Sequence, residues 1–387
     1  MKTIFQILPS LDNTGGGVER GTLDIAKHLQ EIGYKSVIIS SGGDMSEKYK
    51  HKGVIHYSLP LYKKNIFNIY NLRKKFKKIL NELSPDLVHI RSRWPALCFN
   101  KVIKERGIPL VTTYHGTYSG NNNFFKKKYN SLMTEGDMVI GISRFIISHV
   151  AEFFPQSIKK LKLVNRGIDT KYFDLNAITR LRKENFLKSI SIDEKKHIIL
   201  LPARLSEWKG HKIAISAAAS ISRDHPELEF VMLFVGSNQG RKKYSSILEK
   251  QIAKLSLQNK IMLTGNRNDM PSIYSIADVI ISTSIEPEAF GRVSAEAGAM
   301  TKPIIATNLG GSKDIILNNQ TGWLIKEKDP EELAKKIVKV IKMSQTDKDK
   351  VGNSARKRVI DNFGIKQMLD KETIIYEELI KRKHSYN

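Results

Sequence analysis

Short, mainly apolar runs alternate with longer stretches of helical periodicity, and the alternation occurs twice along the chain. Few folds accept that pattern. Ile4–Leu8, Val37–Ser40, Leu87–Ile90, Leu110–Thr113 and Met138–Gly141 read as strands covered on both faces. Val18–Glu31, Ile66–Leu83 and Ala96–Glu105 separate most of them with helical spacing. Strands joined through helices pair in parallel, by right-handed crossovers. The pattern pauses near Val164-Asn165-Arg166-Gly167-Ile168-Asp169, and a polar, charged stretch follows to about Lys196. It then restarts with His197–Leu201, Glu229–Phe234, Lys260–Leu263, Val279–Ser282 and Pro303–Thr307, and Glu331–Arg382 reads as mostly helical. The expected class is α/β, with one wound domain over residues 1–170 and a second over 171–365. Two such halves on one linker should face each other across a cleft, where ligands commonly bind.

A single cysteine, Cys98, in 387 residues excludes a disulfide framework and a zinc site built mainly on thiolates, and it fits a reducing cytoplasm. No apolar run approaches the ~20 residues that span a bilayer, and Met1–Pro9 is too short for a signal-peptide core. The 64 Lys and Arg against 39 Asp and Glu leave a charge of +25. Both halves share it, with 27 basic and 13 acidic residues up to 170 and 37 and 26 beyond. That spread favours solvated basic faces over one nucleic-acid footprint. Two runs stand out, Arg73-Lys74-Lys75-Phe76-Lys77-Lys78 and Lys126-Lys127-Lys128.

Three segments could carry chemistry. Strand Ile4–Leu8 leads into Gly15-Gly16-Gly17-Val18-Glu19-Arg20 at a helix start, where small residues let a ligand approach free amides. Arg20 replaces the third glycine of Gly-x-Gly-x-x-Gly, so this loop reads equally well as a tight turn. Arg204 and Lys209 follow the first strand of the second half, at the sheet edge where open α/β folds bind ligands. Two cations there suit a diphosphate; two solvated loop residues are the plain alternative. The stretch Glu288-Ala289-Phe290-Gly291-Arg292-Val293-Ser294-Ala295-Glu296 follows strand Val279–Ser282. Glu288 is expected before a helix that begins near Gly291, and Glu296 on that helix, so the two carboxylates are separated rather than paired.

Glu288 to Glu296 is the Glu-x7-Glu motif, and it resembles that of glycosyltransferase family 4 (group 1), the retaining GT-B enzymes. Gly16-Gly17-Val18-Glu19-Arg20, Thr113-Tyr114-His115-Gly116-Thr117, Gly141-Ile142-Ser143, Asn165-Arg166-Gly167-Ile168-Asp169, Arg204-Leu205 with Lys209-Gly210, and Gly310-Gly311 follow in the family's order. The whole is similar to bacterial enzymes that build lipopolysaccharide or other envelope glycans. The resemblance implies two Rossmann-like domains, acceptor-binding over 1–170 and donor-binding over 171–365, with a helix over 366–387 packing back on the first. It implies a nucleotide diphosphate sugar as donor, a UDP-sugar above others, with no further cofactor and no metal. Arg204 and Lys209 would hold the diphosphate, Glu296 the ribose and Glu288 the transferred sugar, assisted by the amides of Phe290 and Gly291 and by Val293. Asn266 and Arg267 would meet the base, Gly16 and Gly17 would close over the phosphates, and His115 would lie near the anomeric carbon. Two positions depart from the family: Thr301 where Gly is usual, and Asp314 where Glu is commoner.

Competing readings remain open beside it. The sole Asp-x-Asp, Asp347-Lys348-Asp349, lies in a polar stretch and reads as surface, not metal site. Gly141-Ile142-Ser143-Arg144-Phe145 lacks the second glycine of a nucleophile elbow. A two-carboxylate glycosidase, a GT-B epimerase or phosphorylase, and a basic nucleic-acid-binding protein are the alternatives. Ile69, Leu72, Phe76, Ile79, Leu80 and Leu83 form a stripe flanked by Arg73, Lys74, Lys77 and Lys78. It is either a core-facing helix with a solvated basic face or a docking face for an anionic inner leaflet. The acceptor that the resemblance implies is a lipid-linked core oligosaccharide of lipopolysaccharide, with a capsular or other surface glycan second.

Overall fold

The computed structural model describes residues 1–12, 17–46, 53–120, 122–190, 192–193 and 195–385. The chain falls into two compact units, residues 1–167 with 366–387, and residues 168–365. Each is built on one wholly parallel sheet.

The first unit carries strands β1 (Thr3–Ile7), β2 (Lys35–Ser40), β3 (Ile55–Ser58), β4 (Leu87–Ile90), β5 (Leu110–Tyr114), β6 (Met138–Gly141) and β7 (Leu161–Leu163) in the order β3-β2-β1-β4-β5-β6-β7. The order reverses beside β1, which pairs β2 on one side and β4 on the other. Helix Gly17–Glu31 returns from β1 to β2 and buries Leu23, Ile25, Ala26 and Leu29. In helix Ile69–Leu83 the apolar stripe faces inward: Leu72, Phe76, Ile79 and Leu80 are buried, and Phe76 stacks on Phe99 at 4.3 Å. Arg73 has a structural role here. Its Nε donates to the Cys98 carbonyl at 2.8 Å and its Nη2 to that of Leu97 at 3.2 Å, so it ties two helices together.

The second unit holds β8 (His197–Pro202), β9 (Phe230–Val235), β10 (Ile261–Gly265), β11 (Val279–Ser282), β12 (Ile304–Thr307) and β13 (Trp323–Ile325), ordered β10-β9-β8-β11-β12-β13. Its reversal lies between β8 and β11, as open α/β sheets place their ligand edge. Ile199, Met232, Phe234, Ile281 and Ile305 meet helices His211–Asp224 and Pro330–Ile341 in one core. The polar stretch before β8 is not a linker. It contains helix Arg180–Ile190, held by Arg182 Nη2 at 2.7 Å from Asp269 Oδ1.

Helix Ile365–Ser385 belongs to the first unit over most of its length. A buried polar cluster fastens it. Arg91 Nη2 donates to Glu372 Oε2 at 2.6 Å and Arg91 Nε to Gln6 Oε1 at 2.9 Å. Tyr376 OH donates to Glu372 Oε2 at 2.9 Å and lies 2.6 Å from His89 Nδ1. The other His89 nitrogen lies 2.6 Å from Thr113 Oγ1. Among the described residues no helix is long and apolar enough to cross a membrane.

Candidate functional site

β8 runs out at Pro202 into a short 3-10 turn, Glu207–Lys209, closed by Gly210 in the left-handed region at φ 72°. A Cβ on Gly210 would stand 1.8 Å from the Thr283 carbonyl oxygen, so only glycine lets this turn press onto the loop after β11. The Ile285 N–H donates to the Trp208 carbonyl at 2.8 Å, and the Thr283 hydroxyl lies 3.0 and 3.2 Å from the carbonyl oxygens of Lys209 and Gly210. These bonds fix two strand ends against each other and deliver Lys209 Nζ to Glu288 Oε1 at 2.7 Å. Glu288 Oε1 also accepts from Ser284 Oγ at 2.6 Å and Ser282 Oγ at 3.5 Å. Burial alone would push this carboxyl up; the Lys209 ammonium, aided by the two hydroxyls, outweighs it and holds the group below its ordinary value.

The double glycine backs this arrangement. Gly310 would place a Cβ 2.3 Å from the Glu288 carbonyl oxygen and Gly311 one 2.3 Å from that of Phe290. The Gly311 N–H donates to the Glu288 carbonyl at 2.7 Å. Helix Arg292–Ala299 then begins after Gly291, where no side-chain cap forms among the described residues. Glu296 lies one turn in, almost buried. Its Oε1 accepts from Arg292 Nε at 2.6 Å and its Oε2 from Tyr274 OH at 2.9 Å. Burial and the Glu296 charge raise the Tyr274 hydroxyl well above its usual range, so it remains a donor.

The structure thus joins Lys209 to Glu288 and gives Glu296 two partners of its own. Arg204 is exposed, with Gln239 Oε1 3.5 Å from its Nη1. Asn266 is exposed beyond β10, while Arg267 turns its Nε back to the Thr264 carbonyl at 3.1 Å. The Phe290 ring is buried, 6.1 Å from that of Phe363, and Val293 is half-buried in the helix's first turn. In the first unit His115 follows β5, with its Nδ1 3.2 Å from Arg166 Nη1. Gly17 opens helix Gly17–Glu31; Gly16 lies outside the described residues. Asp347 belongs to a cap: Ser344 Oγ accepts from its N–H at 3.1 Å and donates to its carboxylate at 2.7 Å, at the start of helix Gln345–Phe363.

Several residues that shape the site drew no attention in the sequence. Ser282 and Ser284 left no signal among many serines. Arg292 was readable as an i,i+4 partner of Glu296. Tyr274 comes from another element, and only the fold brings it in.

Residues 15–172 match the family described as Glycosyltransferase Family 4, and residues 182–358 the one described as Glycosyl transferases group 1. A crystal structure of a glycosyltransferase from Rickettsia africae is 36% identical and superimposes with a TM-score of 0.90 over 98% of this chain and 99% of that one. An Anabaena protein, HepE, crystallised with UDP and glucose, superimposes with a TM-score of 0.82 at 20% identity over 98% of this chain and 100% of that one. The N-acetyl-alpha-D-glucosaminyl L-malate synthase of Bacillus anthracis is 24% identical over 95% of each chain.

Proposed function

The chain belongs to the glycosyltransferases, with a family 4 domain followed by a group 1 domain, and from that premise we propose that it is a retaining, metal-independent enzyme that moves a sugar from a UDP-sugar to a lipid-linked envelope glycan. One observation carries the reading: a buried carboxylate paired with an ammonium at the ligand edge of the second sheet, braced by backbone contacts that only glycine permits. The HepE complex with UDP and glucose supports the donor class.

In this reading Arg204, Lys209 and the uncapped amides of helix Arg292–Ala299 receive the diphosphate. They gain most as its charge grows, which lowers the barrier to leaving. Glu296 accepts ribose hydroxyls while Arg292 and Tyr274 hold it still. Glu288 orients the transferred sugar, and its negative charge favours the cationic ring of the transition state. The acceptor oxygen forms its bond to the anomeric carbon on the face from which the sugar–phosphate bond breaks. The leaving phosphate oxygen takes the acceptor proton. Configuration is retained, with no covalent intermediate. Gly17 and His115 serve the reaction from the first unit, Asn266 and Arg267 the base.

Thermal melting against a panel of nucleotide sugars, followed by donor hydrolysis, tests the reading. A true donor at a hundredfold over Kd should stabilise by about 2.7 kcal/mol. No shift and no hydrolysis with any nucleotide sugar would reject it. A shift with duplex DNA alone would favour a nucleic-acid-binding protein, and turnover of sugar phosphates or free glycosides the other enzyme classes.

A lipid-linked acceptor brings the enzyme to the cytoplasmic face of the membrane, and the first unit has a surface suited to that. Ile66, Phe67 and Tyr70 are 64%, 89% and 77% exposed at the start of helix Ile69–Leu83, with Lys63, Lys64, Lys74, Lys77 and Lys78 exposed nearby in sequence. Tyr70, Lys74, Lys77 and Lys101 line an open groove of about 380 Å³. Apolar side chains beside ammonium groups fit an anionic lipid surface. Replacing Lys74, Lys77 and Lys78 by Ser should weaken co-sedimentation with phosphatidylglycerol vesicles by about 3 kcal/mol, roughly 100-fold. Phe67→Ser should weaken it further without changing the salt dependence. Unaltered binding in both would reject this surface.

A further inference from the structure

Arg166 had no role in the reading above, and its placement is specific. It follows β7 and is anchored by its own N–H, which donates to the Ile142 carbonyl at 3.2 Å. Its guanidinium lies against the first turns of helix Gly17–Glu31. A Cβ at Gly17 would stand 3.1 Å from Arg166 Nη2, and one at Gly21 2.9 Å from the same atom. Two glycines spaced i,i+4 thus open a groove that the guanidinium fills.

The other end of that guanidinium meets His115, Nη1 to Nδ1 at 3.2 Å. A guanidinium has five N–H donors and no acceptor. Nδ1 must therefore supply a lone pair, and in a neutral imidazole the single proton then resides on Nε2. Burial first, then the charges of Arg166 and Arg91, hold its pKa well below the ordinary histidine value, which favours the neutral ring. The buried His115 Nε2 has no hydrogen-bond partner among the described residues. A buried N–H donor is thus held ready for an acceptor that a ligand could bring.

We propose that Arg166 is a positioning residue that locks His115 as the neutral Nε2–H tautomer, so that His115 donates a hydrogen bond to a substrate oxygen and does not act as a proton acceptor. The lock is a property of the ligand-free chain; its use in turnover rests on the glycosyltransferase reading.

Full-length protein labelled with 15N-histidine, with His115 assigned through His115→Ala, reads the tautomer directly from long-range proton–nitrogen correlations. The expected pattern at neutral pH is a lone-pair nitrogen at Nδ1 and a protonated one at Nε2. Arg166→Met should lose that preference and raise the ring's pKa, with Arg91 and His89 as the remaining groups whose charge reaches it. Arg166→Lys should restore the wild-type pattern, because ammonium also only donates. A protonated Nδ1 or a charged ring in the wild type overturns the proposal, and so does an unaltered pattern in Arg166→Met. In turnover, Arg166→Met should lower kcat roughly 10- to 100-fold with little change in donor KM. The lysine variant should recover most of it. Should the nitrogen pattern hold while no nucleotide sugar is turned over, the lock survives and the assigned reaction fails.

Discussion

Glu288→Gln is expected to lower turnover about 100- to 1000-fold while the protein remains folded, because a preorganised charge at the reacting centre is lost and little shape changes. The amide oxygen can still accept from Ser284 and Ser282, so the loop keeps its form. The Lys209 ammonium loses its counter-charge at 2.7 Å and must rely on Trp208, whose ring centroid lies 4.2 Å away. Glu288→Ala is the poorer experiment. It strips partners from Lys209 and both serines at once, so lost activity and lost stability arrive together. Steady-state kinetics beside urea unfolding separates the two in the glutamine variant, and equal losses would assign Glu288 a structural role only. The same pair sets an acid limit. A carboxyl held below its ordinary value in the folded state contributes stability above its unfolded pKa, and that contribution fades as pH falls through the folded one. Glu288→Gln should therefore show a shallower loss of stability on acidification than the wild type.

What could be read from the chain, and what could not, divides along a physical line. Central strands are covered on both faces, so Ile4–Ile7 and Val279–Ser282 are legible as apolar runs. The strands with the weakest sequence signal are edges: Ile55–Ser58, Leu161–Leu163 and Trp323–Ile325 have one neighbour each, so polar or very short sequences suffice. Helix Arg180–Ile190 buries only Ile190 and carries no stripe to betray it. The Glu288 to Glu296 spacing was visible because a loop followed by a helix start is a local pattern. Two of the groups that orient those carboxylates are not local: Lys209 is 79 residues from Glu288, and Tyr274 lies 22 before Glu296. Thr301 shows the reverse case, an oddity whose cause appears only in three dimensions. Its φ is 55°, a left-handed conformation that favours glycine, the residue the family usually has there.

Arg91→Met is expected to have the largest effect on stability, about 3–5 kcal/mol, although Arg91 has no assigned part in the reaction. The Arg91 and Glu372 side chains are 1% and 5% exposed, and the guanidinium is the only cation bonded to that carboxylate among the described residues. Removing it leaves a charge that cannot reach water and deprives Gln6 of a donor. The structural consequence falls on helix Ile365–Ser385, whose contacts with β1 and β4 run through Tyr376 and Glu372. Hydrogen exchange should therefore show that helix opening before the sheet it covers. Two further results identify the cause as an orphaned charge and not a lost contact. Arg91→Met with Glu372→Met should recover more than half of the deficit, since removing both ions relieves the penalty that either alone creates. The single variant should also be less impaired at acid pH. Burial first, then Arg91, depresses the pKa of His89; without Arg91 that pKa rises, and the protonated ring, 3.9 Å from Glu372 Oε2, can take over as the cation. A histidine whose folded pKa rises contributes stability at low pH that disappears as pH increases, so the deficit should widen from acid towards alkaline conditions. A deficit independent of pH and additive with Glu372→Met would mean that Arg91 contributes by packing alone.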